Sequence, residues 1–182
     1  LLVGANASRS TAFNDAAVNA RVGDDSTLEI SGTATVQTHN THSQLAYVSG
    51  VSAGFVAVGA NTASAGSNTD SHAALGDHVR VEGGTLNVLA DGQATNHAYG
   101  VAGAGGLVSV PFSASYTTTV SRTSATTGSK AARQPGDPAT IAVDSLTLAA
   151  TQGSSFDAWM SNTNASLDRK STRLNSSHAN IS

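Results

Sequence analysis

The chain has 182 residues, contains no cysteine and carries a formal net charge of −3. Charged residues make up 12% of it and aromatic residues 4%, so small residues dominate, and these favour thin stacked layers over a thick core. This composition excludes a disulfide framework and a thiolate metal site. The sequence has no run of about 18 apolar residues, so it predicts no membrane-spanning helix. The scarcity of proline argues against disorder.

Apolar residues that alternate with polar ones predict short β-strands throughout the chain. In chain order the alternating sets are Leu28/Ile30, Ala34/Val36, Val79/Val81, Leu86/Val88, Val108/Val110/Phe112/Ala114/Tyr116, Ile141/Val143 and Leu146/Leu148. Turn residues lie before or between these sets, namely Gly23-Asp24, Gly32, Gly76-Asp77, Gly83-Gly84, Gly136-Asp137 and Asp144. Residues 12–22 have some helical character but lack caps, so we expect little helix.

The strands recur in an internal repeat. AYVSGVSAGFVAV (46–58) matches AYGVAGAGGLVSV (98–110), and SGTATV (31–36) matches GGTLNV (83–88), both 52 residues further on. A looser third copy matches the second at an offset of 60, through DSLTL (144–148) and DAW (157–159). VGAN (3–6) is aligned with VGAN (58–61), so we expect the chain to begin inside a repeat and to lack both ends.

We therefore predict an all-β protein, a parallel β-helix (β-solenoid) fragment of about three repeat units. The units are residues 1–53, 54–105 and 106–167, and each is expected to divide into two or three coils, with its polar stretch in surface loops. An antiparallel β-sandwich is the alternative, because periodicity does not define how strands connect.

Residues 168–182 differ in character from the rest. DRKSTRLNSSH (168–178) resembles the in-frame translation of a widely used sequencing adapter, so we interpret 168–182 as a non-native, unstructured tail. Without it six basic and eleven acidic residues remain, a net charge of about −5. Such an acidic chain without a basic patch argues against nucleic acid as a partner.

The second copy resembles the repeat units of large filamentous bacterial adhesins, the filamentous-haemagglutinin-like and leukotoxin-type exported proteins. The matching stretches are LGDHVRVEGGTLNV (75–88) and AYGVAGAGGLVSV (98–110), and the resemblance covers residues 1–167. The third copy departs from it at Pro111, Phe112 and RQPGDP (133–138). The resemblance implies a parallel β-helix outside the cell that acts in adhesion or as a stalk.

Two sets of residues are weak candidates for metal binding. His39 and His42 are three residues apart, a spacing that joins them only on a helix, and we expect both in solvated loops. Asp24, Asp25, Asp77 and Asp137 lie at turns, where one or two carboxylates per unit are too few for calcium. Turn capping is the expected role of these aspartates.

Carboxylates and aromatic residues are the remaining candidates. Asp70, Glu82 and Asp91 are scattered, so we expect them, like the outward-facing Arg80, to lie on a solvated face rather than in an active site. Tyr47, Tyr99 and Trp159 occupy equivalent positions, and we expect them to pack between coils at a corner. A sugar-binding platform requires that they be exposed.

The sequence predicts a non-enzymatic segment of an exported bacterial surface protein, with no catalytic, cofactor or metal site. We expect it to be extracellular and to contact a host-cell, bacterial or matrix surface, protein or glycan, without inserting into a membrane. A carbohydrate-active β-helix enzyme and a self-associating biofilm matrix protein are the alternatives.

Overall fold

The computed structural model describes residues 2–128 and 139–166. In these residues the chain is all strand and turn, and no helix capable of spanning a membrane occurs in them. The strands are β1 (Val3–Val22), β2 (Thr27–Glu29), β3 (Thr33–Ala53), β4 (Val56–Leu75), β5 (Arg80–Glu82), β6 (Thr85–Gly106), β7 (Val108–Thr127), β8 (Thr140–Ala142) and β9 (Ser145–Ser166).

Equivalent strands of successive copies pair in parallel to form three sheets. Sheet A has the order β1-β4-β7, sheet B the order β2-β5-β8 and sheet C the order β3-β6-β9. All of the pairings are parallel, so the prediction of a parallel β-helix is confirmed and the antiparallel sandwich is wrong.

Each copy forms one flattened coil, in which a long strand of sheet A and a long strand of sheet C run in opposite directions. The Ser113 hydroxyl lies 3.4 Å from the carbonyl oxygen of Ser161, and the Ser115 hydroxyl 2.7 Å from that of Trp159. Sequence numbers therefore rise along sheet A while they fall along the facing sheet C.

The expected division of a copy into two or three coils is wrong, since one copy makes one coil. The long strands have 20 to 22 residues because the polar stretches, expected as loops, belong to them. THNTHSQ (38–44), for instance, lies wholly within β3. In a stacked coil the adjacent rung satisfies the backbone of polar and apolar residues alike.

The register agrees with most of the repeat alignment. Residues pair across 52 positions between β3 and β6 and across 60 between β6 and β9. The VGAN alignment is wrong by two residues, because Val3 pairs with Val56 and not with Val58. A shift of two preserves which side chains face inward, so the inward pattern did not reveal the error.

Small residues fill the narrow space between sheets A and C. One buried apolar cluster, around Leu75, Val81 and Leu86, lies where the three sheets meet, and we call this end of the coil the cap end. A second, mostly of alanine, includes Ala46, Ala63 and Ala98. The predicted strand pairs that flank Gly32 and Gly83-Gly84 correspond to sheet B and the start of sheet C.

At the opposite end β3 connects to β4 through residues 54–55, and β6 connects to β7 through residue 107. We call this the tight-turn end. Here the rungs stack so closely that a Cβ on Gly106 would lie 2.1 Å from the carbonyl oxygen of Gly54. Only glycine is compatible with such an approach of two backbones.

Candidate functional site

The most distinctive outward feature is a column of aromatic residues on sheet C. Register places Tyr47 beside Tyr99 and Tyr99 beside Trp159, one residue from each rung. Their predicted equivalence is confirmed, but packing between coils is wrong. Ala46 and Ala98, next to the two tyrosines, point inward, so the aromatic side chains point outward. Tyr47 is 58% exposed and Trp159 38%.

Polar groups adjoin this aromatic column. The Tyr99 hydroxyl donates to Oδ2 of Asp157 at 3.2 Å and lies 3.2 Å from Nδ1 of His97, which is then the donor to the phenol oxygen. The His97 and Tyr99 rings are nearly parallel, with centroids 5.9 Å apart. Partial desolvation, together with the hydrogen bond and charge of Asp157, raises the pKa of Tyr99, so its hydroxyl remains a donor.

A second outward group consists of a hydroxyl, an imidazole and a carboxylate. Nδ1 of His39 lies 2.8 Å from Oδ2 of Asp91, and Nε2 of His39 lies 3.1 Å from Oγ1 of Thr41. In a catalytic triad, contacts in this order let an acid orient a base and the base activate a hydroxyl nucleophile. A working triad also needs two hydrogen-bond donors for the oxyanion and a site that excludes water. The His39 side chain is 61% exposed on an open sheet face.

A shallow depression on the outer face of sheet A contains two carboxylates. Asp15 and Asp70 line it together with Arg122. Nδ2 of Asn68 donates to Asp15 at 3.2 Å, and the guanidinium of Arg122 lies 3.8 Å from Asp70. Each carboxylate is thus paired with a neighbour on the next rung.

The two histidines considered for a metal do not converge. His39 faces outward and His42 faces inward, because an odd spacing on a strand places side chains on opposite faces. Both lie in β3, so the expectation of loop histidines is wrong. In residues 2–128 and 139–166 no group of three or more His, Asp or Glu side chains is arranged to hold a metal ion.

Of the turn aspartates, Asp24 caps the backbone of the adjacent rung. Oδ1 of Asp24 accepts the N–H of Asp77 at 2.7 Å, from one rung to the next, and also contacts Arg21. Asp25 lies 3.0 Å from Nδ1 of His78. The capping role predicted for these turns is confirmed for Asp24, while Asp137 lies outside the described residues.

Other predicted outward residues lie where expected. Arg80 is exposed and contacts Glu82, two residues along the same short strand. Asp91 contacts His39, a pairing not predicted from the sequence. The repeat offset of 52 residues aligns position 39 with position 91, so this contact could have been predicted from the sequence.

Comparison with known proteins gives no relatives. No protein-family model matches the chain, and neither curated proteins nor solved structures include a match. The fold defines the class, a parallel β-solenoid with flattened coils.

Proposed function

We propose that the chain is a structural and adhesive segment of an exported bacterial surface protein, with the aromatic column of sheet C as its contact surface for glycans. The observation that carries the proposal is that Tyr47, Tyr99 and Trp159 point outward at the same position of successive rungs. Aromatic faces pack against the apolar faces of sugar rings, and a few polar groups beside them provide orientation.

The scaffold supports this role mechanically. Three sheets connect neighbouring rungs by backbone hydrogen bonds over nearly the whole width of the coil. The aromatic residues are therefore held on long strands and not on loops, which limits the conformational entropy lost when a ligand binds. Imidazole and carboxylate groups of His97 and Asp157 are available beside them for sugar hydroxyls.

Fluorescence provides a direct test, because Trp159 is the only tryptophan of the chain. Titration with chito- and cello-oligosaccharides is expected to give a saturable change in its emission. Tyr47→Ala should weaken binding by about tenfold, the loss of roughly one aromatic contact. Phe13→Ala is the matched control, since Phe13 is an exposed aromatic residue on the opposite sheet.

The titration also separates this proposal from its alternatives. If neither sugar series gives a saturable change, or if Tyr47→Ala binds like the unaltered chain, the aromatic column is not a glycan surface. Release of new reducing ends during the titration would instead favour a carbohydrate-active enzyme, for which the Asp15 and Asp70 depression is the first place to mutate.

A further inference from the structure

Asp157 is one of two carboxylates on the strands of sheet C. The other, Asp91, lies 2.8 Å from the imidazole of His39. Asp157 accepts the hydroxyl of Tyr99 at 3.2 Å and forms no ion pair with any described residue. A carboxylate has about four lone-pair sites, so one hydrogen bond from a neutral phenol leaves most of its acceptor capacity and all of its charge for a ligand.

The strands of sheet C contain no lysine or arginine. In the described residues the arginines lie in sheets A and B, and the outer face of sheet A points away from the aromatic column. No lysine or arginine of this face therefore neutralises the charge of Asp157. A cationic ligand is not repelled by such side chains here, and an anionic sugar finds none of them to bind it.

Strand geometry places this carboxylate beside the aromatic faces. Asp157 and Trp159 occupy consecutive outward positions of one strand, and Tyr99 lies beside Trp159 on the next rung. Consecutive outward positions are about 6.8 Å apart and rungs about 4.8 Å apart. A sugar ring packed on Tyr99 and Trp159 therefore has the Asp157 carboxylate beside its edge, where the substituents of the ring project.

An ammonium group is the sugar substituent that best matches these surroundings. It has three donors and no acceptor, and its hydrogen bond to a carboxylate is roughly twice as strong as one between neutral groups. The faces of tryptophan and tyrosine also attract a cation. A hydroxyl or an N-acetylamino group in the same place has no charge and gains neither of these contributions.

We infer that Asp157 makes the aromatic column selective for glycans with free amino groups, such as oligomers of glucosamine. The inference rests on the proposed glycan surface and names the class of sugar that this surface takes. Leu45 and His97 occupy the equivalent positions of the other two rungs, so the carboxylate occurs only on the rung of Trp159. Selectivity is therefore set at this one rung, where charge and aromatic face are adjacent.

Isothermal titration calorimetry of the full chain with oligosaccharides of chitosan, chitin and cellulose tests the inference. At equal length these sugars have the same linkage and differ in one ring substituent, which is a free amino, an N-acetylamino or a hydroxyl group. At about pH 7 the free amino group is largely protonated. The chitosan oligosaccharide should bind about tenfold more tightly than the other two, because it adds a charge-assisted hydrogen bond and a cation–π contact.

Asp157→Asn removes the charge and retains an oxygen that can accept the Tyr99 hydroxyl. It should lower the affinity for the chitosan oligosaccharide about tenfold and that for the cellulose oligosaccharide less than about threefold. Asp91→Asn is the matched control, since it makes the same change of charge on the same sheet. Asp91 pairs with Thr151, six positions or about 20 Å along the strand from Asp157, so this variant should retain the preference.

Equal affinity of the unaltered chain for the three oligosaccharides would overturn the inference and leave the glycan surface in place. A preference that persists in Asp157→Asn, or that is lost equally in Asp91→Asn, would show that Asp157 does not determine it. Tetralysine is cationic but has no sugar ring, and binding as tight as that of the chitosan oligosaccharide would show selection for charge alone. If none of the three oligosaccharides binds, the proposed function is wrong as well.

Discussion

His42 is the one ionisable residue at an inward position of the long strands in residues 2–128 and 139–166. Its two ring nitrogens are buried and have no hydrogen-bond partner among the described residues. Neighbouring inward residues of β3, Asn40 and Gln44, are uncharged, and so are Asn14 and Ser67 of the facing sheet A. Desolvation lowers the pKa of His42 below its ordinary value of 6.5.

We predict that His42 makes the fold less stable as the pH falls below 6.5. Above that value the residue is neutral in both states and has no effect. Below it the unfolded chain takes up the proton first, so the free energy of unfolding decreases until the pH passes the lower pKa of the folded state. Urea unfolding at pH 7.5 and pH 5.5 measures the effect.

His42→Gln should remove this part of the pH dependence, since glutamine does not titrate. His39→Gln, an outward change on the same strand, should leave it intact. If the unaltered chain and His42→Gln lose equal stability on acidification, then other groups account for the effect.

At the scale of the strand, β7 shows how a proline is accommodated in a long ladder. The N–H groups of Val108 and Gly128 donate to carbonyl oxygens of Phe55 and Leu75 at 3.1 and 3.0 Å. Even-numbered residues of β7 therefore point their N–H groups at β4, and odd-numbered residues point theirs at the edge that has no neighbour in the described chain. Pro111 is odd-numbered, so its missing donor removes no hydrogen bond to β4.

This alternation predicts that proline destabilises the fold to different extents at two adjacent threonines. Thr118→Pro removes the donor that faces β4 and leaves the Ala65 carbonyl unsatisfied, which should cost about 1–3 kcal/mol of stability. Thr117→Pro removes a donor at the free edge and should cost markedly less. Chemical denaturation of the two variants measures the difference, and equal destabilisation would show that the edge assignment is wrong.

The sequence predicted the strands where large apolar residues alternate, as at Leu86 and Val88, because their side chains fill the core. It missed the polar parts of the long strands, such as 38–44, because Asn, His and Gln have low strand propensity and the stabilising partner is a distant rung. The orientation of Tyr47 was also missed. Both faces carry apolar residues there, so alternation alone does not distinguish inside from outside.

At the scale of the molecule, long strands and few rungs make a plate and not a compact globule. A strand of 20 residues spans about 66 Å, whereas three rungs rise about 14 Å. We predict a radius of gyration of about 20 Å by small-angle X-ray scattering, against about 16 Å for a compact domain of this length. Measurement on dilute samples excludes a contribution from association, and a value near 16 Å would contradict the fold.

The third rung differs from the second by eight residues, since β4 pairs with β7 at an offset of 52 and β5 pairs with β8 at an offset of 60. The extra residues fall between Thr127 and Thr140, and the register resumes after them. The repeat can thus change in length at this corner without disturbing the ladder. A peptide tag inserted at that corner is, by the same reasoning, the least disruptive label for this chain.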